Sequence, residues 1–203
     1  MTPHIYKTIE QTGKAEYSDR GSRFLGFAFF VKDIPQFKER LQAIKELHPK
    51  ASHHCYAYRI GFKGELWRAS DNGEPSGTAG RPILGQLESQ QLLFAAVVVV
   101  RYFGGTLLGV PGLINAYRAA AQLALQKASV IEKPILCEYQ LQFDYTLLNE
   151  VMRLVKKHQL IVLSNEQGLF CEMKLGIPIG KETNVCEEFS LLQGLEFKKT
   201  TSF

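Results

Sequence analysis

Residues 92–100, LLFAAVVVV, are apolar without a break, and the run ends on Arg101. Nine residues fall far short of the roughly 20 that cross a bilayer as a helix. A run rich in β-branched residues and lacking polar alternation reads instead as a strand covered on both faces. It is the most buried strand the sequence contains. It leads through a glycine-rich turn into an Ala- and Leu-rich stretch, 111–127, that reads as a long packed helix starting at Pro111.

Around this strand the first part of the chain reads as an α+β layer. Residues 24–31 form another strand, too apolar for an open edge. Asp33 caps a helix, with Gln36 completing a capping-box pattern. Phe37, Leu41, Ile44 and Leu47 fall on one face of that helix, and Pro49 stops it. Residues 53–61 and 65–70 read as two strands around a glycine-rich turn, and 83–87 as a helical stretch.

The chain of 203 residues, 45% hydrophobic and 22% charged, has the length for one large domain or two modest ones and the balance of a globular protein. Wholesale disorder, collagen-like repeats and a disulfide-stapled miniprotein are excluded. Cys55, Cys137, Cys171 and Cys186 lie far apart with no C-x-x-C pair, so they read as reduced thiols. No basic segment leads into an apolar stretch at the start, so no secretion signal is expected. A cytoplasmic protein with no membrane partner is the expectation.

The stretch 129–134 follows the long helical pattern, and Pro134 cannot continue a helix. The domain boundary is placed there, giving domains 1–133 and 134–203. The first holds 17 Lys and Arg against 11 Asp and Glu, a surplus of six; the second is two charges negative. That split hints that the first domain meets something anionic.

The second domain reads as β-α-β-β-α-β. Residues 135–143 alternate, with Cys137, Tyr139, Leu141 and Phe143 on one face. Asp144 is an N-cap candidate for a helix carrying Leu147, Leu148, Val151, Leu154 and Val155. Strands at 159–164 and 169–175 flank a turn at 165–168. A helix at 180–192, with Val185, Phe189 and Leu192 inward, ends before Gly194, and 195–198 gives a last strand. This order in about 70 residues is that of a ferredoxin-like sandwich.

Two loops invite a functional reading. The first, SDNGEPSGTAGRP at 70–82, opens with a tight turn at Asp71, Asn72 and Gly73. Gly77, Thr78, Ala79 and Gly80 then crowd backbone N–H groups at a helix start, a natural anion site to which Arg81 adds charge. Asp71 and Glu74 oppose an anion there unless they pair with Arg, Lys or a metal. The second loop, RYFGGTLLGVPG at 101–112, joins strand to helix, but its spacing fits neither G-x-G-x-x-G nor G-x-x-x-x-G-K-[ST]. Arg101 either pairs with Asp71 or Glu74 or contacts a ligand. Tyr102 and Phe103, beside Gly104 and Gly105, offer rings on which a base could stack.

On a strand His53 and Cys55 share one face and His54 takes the other, so these three cannot chelate a metal together. Cysteine chemistry with His53 lacks an orienting group, and no G-x-S-x-G is present. No metal or cofactor is expected.

These motifs together, His53-His54-Cys55, the 70–82 loop and VVVVRYFGGTLLG at 97–109, resemble the IMPACT family and specifically its bacterial YigZ branch. The resemblance covers nearly the whole chain. It implies an N-terminal fold like domain IV of elongation factor G and a C-terminal ferredoxin-like fold like its domain V. The family's usual two aspartates before Gly-Glu-Pro are Asp71 and Asn72 here, which argues against a metal at that pair. Eukaryotic relatives restrain a kinase of translation initiation by competing for its activator, so the resemblance implies a setting in translation control rather than a reaction. It marks Arg101, Gly104, Gly105, Asp71, Glu74 and the 77–80 stretch, with His53 and His54 as part of the pattern.

Three functions follow as expectations. The first is a non-enzymatic protein that contacts RNA, the ribosome or a translation-related protein, with the two glycine turns converging into a cationic patch that grips a polyanion. The second is a protein–protein scaffold that binds no nucleic acid. The third is an enzyme of unstated reaction using Asp71, Glu74, His53 and Arg101.

Overall fold

The computed structural model describes residues 4–200. The chain is α+β, with antiparallel sheets, and forms two compact units. One is Tyr6–Lys133; the other holds residues from Pro134 onward together with His4 and Ile5.

The first unit is built on a five-stranded sheet. Its strands are β2 (Gly13–Asp19), β3 (Ser22–Phe30), β4 (His53–Ile60), β5 (Leu66–Ser70) and β6 (Ala95–Tyr102), in the spatial order β2-β3-β6-β4-β5. The valine run is the central strand, and helices cover it on both sides. Val97 and Val99 face a core shared with α2 (Gly80–Ser89) and α3 (Gly109–Lys127). Ala96, Val98 and Val100 face a second core shared with α1 (Ile34–Leu47). A strand buried on both faces has no polar side to alternate, hence the unbroken apolar run.

Helix α1 is capped by Asp33, whose Oδ1 accepts from the Gln36 N–H at 2.8 Å. The Gln36 side chain reaches back to the Lys32 N–H (2.8 Å) rather than to that of Asp33. Phe37 and Ile44 are buried, but Leu47, assigned to the same apolar face, is 72% exposed because it sits in the last turn.

Three strands escape the sequence pattern. One is β2; the others are β1 (Ile5–Gln11) and β7 (Ser129–Pro134), which pair with each other. The segment read as a domain boundary is thus itself a strand. Its exposed, polar pattern carries no signal of pairing, because its partner lies more than a hundred residues away.

The second unit has β8 (Leu136–Asp144), α4 (Leu148–His158), β9 (Ile161–Glu166), β10 (Phe170–Pro178), α5 (Glu182–Ser190) and β11 (Glu196–Lys199). The sheet order β11-β8-β10-β9 is the ferredoxin-like one. Cys137, Tyr139, Leu141 and Phe143 face the core with Val151, Leu154, Val155, Val185 and Phe189. Asp144 caps a single 3-10 turn, Tyr145–Leu147, before α4, by accepting from the Thr146 N–H at 2.9 Å. A second such turn, Ile179–Lys181, opens α5, so the helix expected from residue 180 begins at Glu182.

Candidate functional site

The antiparallel register sets the site. His53 pairs with Arg101 across β4 and β6, and Arg101 pairs with Phe24 across β6 and β3. Cross-strand partners share a face, so Arg101 lies between Phe24 and His53 on the side covered by α2 and α3. Its guanidinium carbon is 5.4 Å from the Phe24 ring centroid and 5.5 Å from that of Phe103. Strand alternation sends Tyr102 to the opposite face, where its hydroxyl meets His48 Nδ1 at 2.9 Å. His54 likewise points away from His53. Tyr102 and His54 therefore lie apart from Arg101, although the sequence sets them beside it.

Arg101 is 5% exposed. Its Nη1 donates to Glu74 Oε1 at 2.6 Å, and Nη2 to Ser22 Oγ at 3.3 Å. The same Glu74 oxygen accepts from the Tyr117 hydroxyl at 2.7 Å. Cys55 lies behind them, its thiol donating to the Asp71 carbonyl (2.8 Å) and 3.3 Å from Tyr117 Oη. Burial pushes the Cys55 thiol up to about 12 and drives the Tyr117 phenol far above its ordinary value. Neither ionises near neutrality.

Asp71 occupies the helix start that the sequence offers to an anion. Its Oδ1 accepts from the N–H groups of Ala79 (3.0 Å) and Gly80 (2.8 Å), and its Oδ2 from that of Gly77 (2.9 Å). Burial alone would raise its carboxyl; the three N–H groups outweigh that and hold it below the usual carboxylate range. The protein's own carboxylate thus serves as the anion of α2. Thr78 is buried, its hydroxyl on the Pro75 carbonyl at 2.7 Å, while Arg81 is exposed on the first turn.

The two glycine loops meet where Glu74 of the first pairs with Arg101 at the start of the second, and the second is also tied to serines outside both loops. Phe103 N–H donates to Ser52 Oγ (3.4 Å), and Gly104 N–H to Ser22 Oγ (3.2 Å). A Cβ on Gly104 would stand 1.9 Å from the Gly21 carbonyl carbon, so only glycine fits there. Gly105 faces open space, with φ of +85°.

Between the loops lies a cleft of about 490 Å³. Glu74, Arg101 and His53 bring charge or titratable groups to it; Pro75, Phe103, Leu107, Leu108, Val110 and Leu113 make its walls apolar. Phe103 (48%), Leu107 (81%) and Val110 (52%) are exposed there. His53 Nδ1 is 2.9 Å from the Asn72 carbonyl, and its Nε2 is 3.8 Å from Glu74 Oε1. Among the described residues no three His, Cys, Asp or Glu side chains come together to hold a metal, and no helix is long and apolar enough to cross a membrane.

Sequence reasoning passed over Tyr117 and the apolar walls. Tyr117 carried a signal: it is a lone hydroxyl on a helix face otherwise made of Leu113, Ala116, Ala120, Ala121 and Ala124. Leu107 and Val110 carried none, because an apolar residue beside a glycine turn reads equally well as core.

Comparison with known proteins agrees with these motifs. Residues 20–125 match the Impact N-terminal domain. The IMPACT family member YvyE of Bacillus subtilis is 34% identical over 186 residues, covering 92% of this chain and 85% of that protein. The family member YigZ of Escherichia coli is 33% identical over 162 residues, 79% of each chain. A crystal structure described only as that of a hypothetical protein has a TM-score of 0.75 and 27% identity, covering 99% of this chain and all of the other.

Proposed function

Because this chain belongs to the IMPACT family, we propose that it is a non-catalytic binding protein of translation or its regulation that takes a protein partner in the cleft beside Arg101. The observation that carries this reading is the closed pairing of Arg101 with Glu74 beneath exposed Phe103, Leu107 and Val110. A cation sealed against a carboxylate has little charge left for a polyanion. The apolar rim suits a desolvated protein contact. The setting, translation control in the cytoplasm, follows from the family resemblance.

The enzyme alternative has less support at this site. The Asp71 carboxylate is engaged with α2, Glu74 and Arg101 hold each other, and the Cys55 thiol is protonated. RNA contact is the second reading, favoured by the six-charge surplus of residues 1–133.

Titration of the protein against purified ribosomes and against deproteinised ribosomal RNA, at about 50 and about 200 mM salt, separates these readings. A protein partner in the cleft predicts binding to intact ribosomes that changes less than about tenfold with salt and is lost in Leu107→Asp. RNA contact predicts binding to the deproteinised RNA, falling by roughly a thousandfold or more over the same salt range. Ribosome binding that survives Leu107→Asp overturns the cleft as the docking site.

A further inference from the structure

We infer that the groove between α1 and the β2–β3 edge of the first unit's sheet docks an amphipathic helix of a protein partner, one with acidic side chains beside its apolar stripe. The groove lies on the sheet face opposite the cleft beside Arg101, so the inference stands apart from the reading of that cleft.

The two faces of the five-stranded sheet are unequally covered. α2 and α3 share the core on one face, whereas α1 alone shares the core on the other. Beside α1, over β2 and β3, a groove of about 420 Å³ remains. Phe27, Phe29, Ala43, Ile44 and Leu47 make it apolar, and Leu47 is 72% exposed there. On α1 the groove is lined by Gln36, Arg40, Ala43 and Leu47, a helical stripe of about three turns and about 16 Å. A trough of that length beside a helix fits a second helix, and the small side chain of Ala43 permits the usual separation of about 8–10 Å between axes.

Charge selects among helices. Lys14 Nζ stands 5.9 Å from the Phe27 ring centroid, and the Arg40 guanidinium carbon 5.4 Å from that of Phe29. Two cations from two elements thus lie against the apolar floor, and among the described residues neither has an ion-pair partner. Glu39 is the single carboxylate among the described residues of the groove wall, which leaves one positive charge in surplus. Glu16, two residues from Lys14 on the same strand face, is closed on Arg23 by hydrogen bonds of 2.7 and 3.0 Å. Unpaired cations over an apolar floor complement an acidic amphipathic helix. A second copy of this chain has none to offer, because its described α-helices already bury their apolar faces in the three cores. The helix therefore comes from another protein.

Fluorescence anisotropy of three labelled model peptides against the full chain tests this. Two have the same composition of Leu and Glu, one with Leu at helical spacing and one strictly alternating; the third carries Lys for Glu at helical spacing. The acidic helix is expected to bind at least about tenfold more tightly than either of the others. Lys14→Glu with Arg40→Glu, two exposed positions, is expected to reverse the order of the acidic and basic helices. A lost fold would abolish both bindings rather than reverse them. Arg118→Glu with Lys127→Glu makes the same change in net charge at exposed positions of α3 and is expected to keep the original order. Reversal by that control shows unspecific attraction and overturns the inference, as does tighter binding of the alternating peptide or no binding of the acidic helix at millimolar concentration. Acidic-helix binding that is lost in Leu107→Asp belongs to the cleft and also overturns the groove. So does a dimer of the free chain that Lys14→Glu with Arg40→Glu abolishes, since the groove would then take a second copy. Ribosome binding lost in Leu107→Asp would leave the cleft reading standing whichever way the groove is decided.

Discussion

Arg101 Nη1 stands 2.6 Å from Glu74 Oε1, with 6% and 4% of the two side chains exposed, and this pair joins the central strand to the loop that precedes α2. Removing one member leaves the other charged and buried, which costs about 3–5 kcal/mol. Arg101→Met and Glu74→Gln are both expected to lower the urea midpoint strongly. The double variant Arg101→Met with Glu74→Met is expected to recover much of the loss, since no unpaired charge remains. Additive losses would show that the pair is not the unit of stability.

Asp71 holds three N–H groups, and its loss should act as the loss of a helix cap. Asp71→Ala is expected to cost about 1–3 kcal/mol in chemical unfolding at neutral pH.

The same carboxylate gives a pH signature. Its folded pKa lies below its unfolded value, so the unfolded chain binds more protons and stability rises with pH across that window. The contribution is complete above the unfolded value of about 3.9 and is lost as pH falls through the lower folded one. Asp71→Asn lacks this titration. The stability gap between wild type and Asp71→Asn should be widest above about pH 5 and shrink below about pH 4. A constant gap would contradict the assignment.

Adjacent glycines should respond to alanine differently. Gly104→Ala drives a Cβ into the Gly21 backbone and is expected to cost several kcal/mol, roughly as other overpacking changes at their upper end. Gly105→Ala meets open space and bears only the left-handed conformation, about 1–2 kcal/mol. Thermal unfolding of the two variants orders them.

Cysteine reactivity offers another check. A Cys55 thiol pushed up to about 12 and fully buried has roughly one part in ten thousand as thiolate at pH 8. With a disulfide reagent under native conditions, partly exposed Cys186 should react first, and Cys55 only after denaturant is added. Rapid native modification of Cys55 would contradict the buried network.

Much of the fold was legible because the patterns are local. The alternation in β8 and the apolar spacing in α4 and α5 are enough to write out the ferredoxin-like order. β1 and β7 were not legible, since short strands of this kind acquire their identity from a partner distant in sequence; β2 pairs with β3 across a two-residue turn, but its largely polar residues carry no apolar run to mark it. In the site, pairing of Arg101 with a loop carboxylate was among the readings, but which carboxylate was not.

The residue order by itself determined a strand buried on both faces, a glycine-bearing exit from it, and the family to which those motifs belong. Only the tertiary structure decided how the charges are used. Strand register put His53 beside Arg101 and turned Tyr102 away. The folded loop set Asp71 on α2 and left Glu74 to Arg101. Electrostatic partnership depends on distances of a few ångströms between residues separated by dozens of positions, and such distances exist only once the chain has folded.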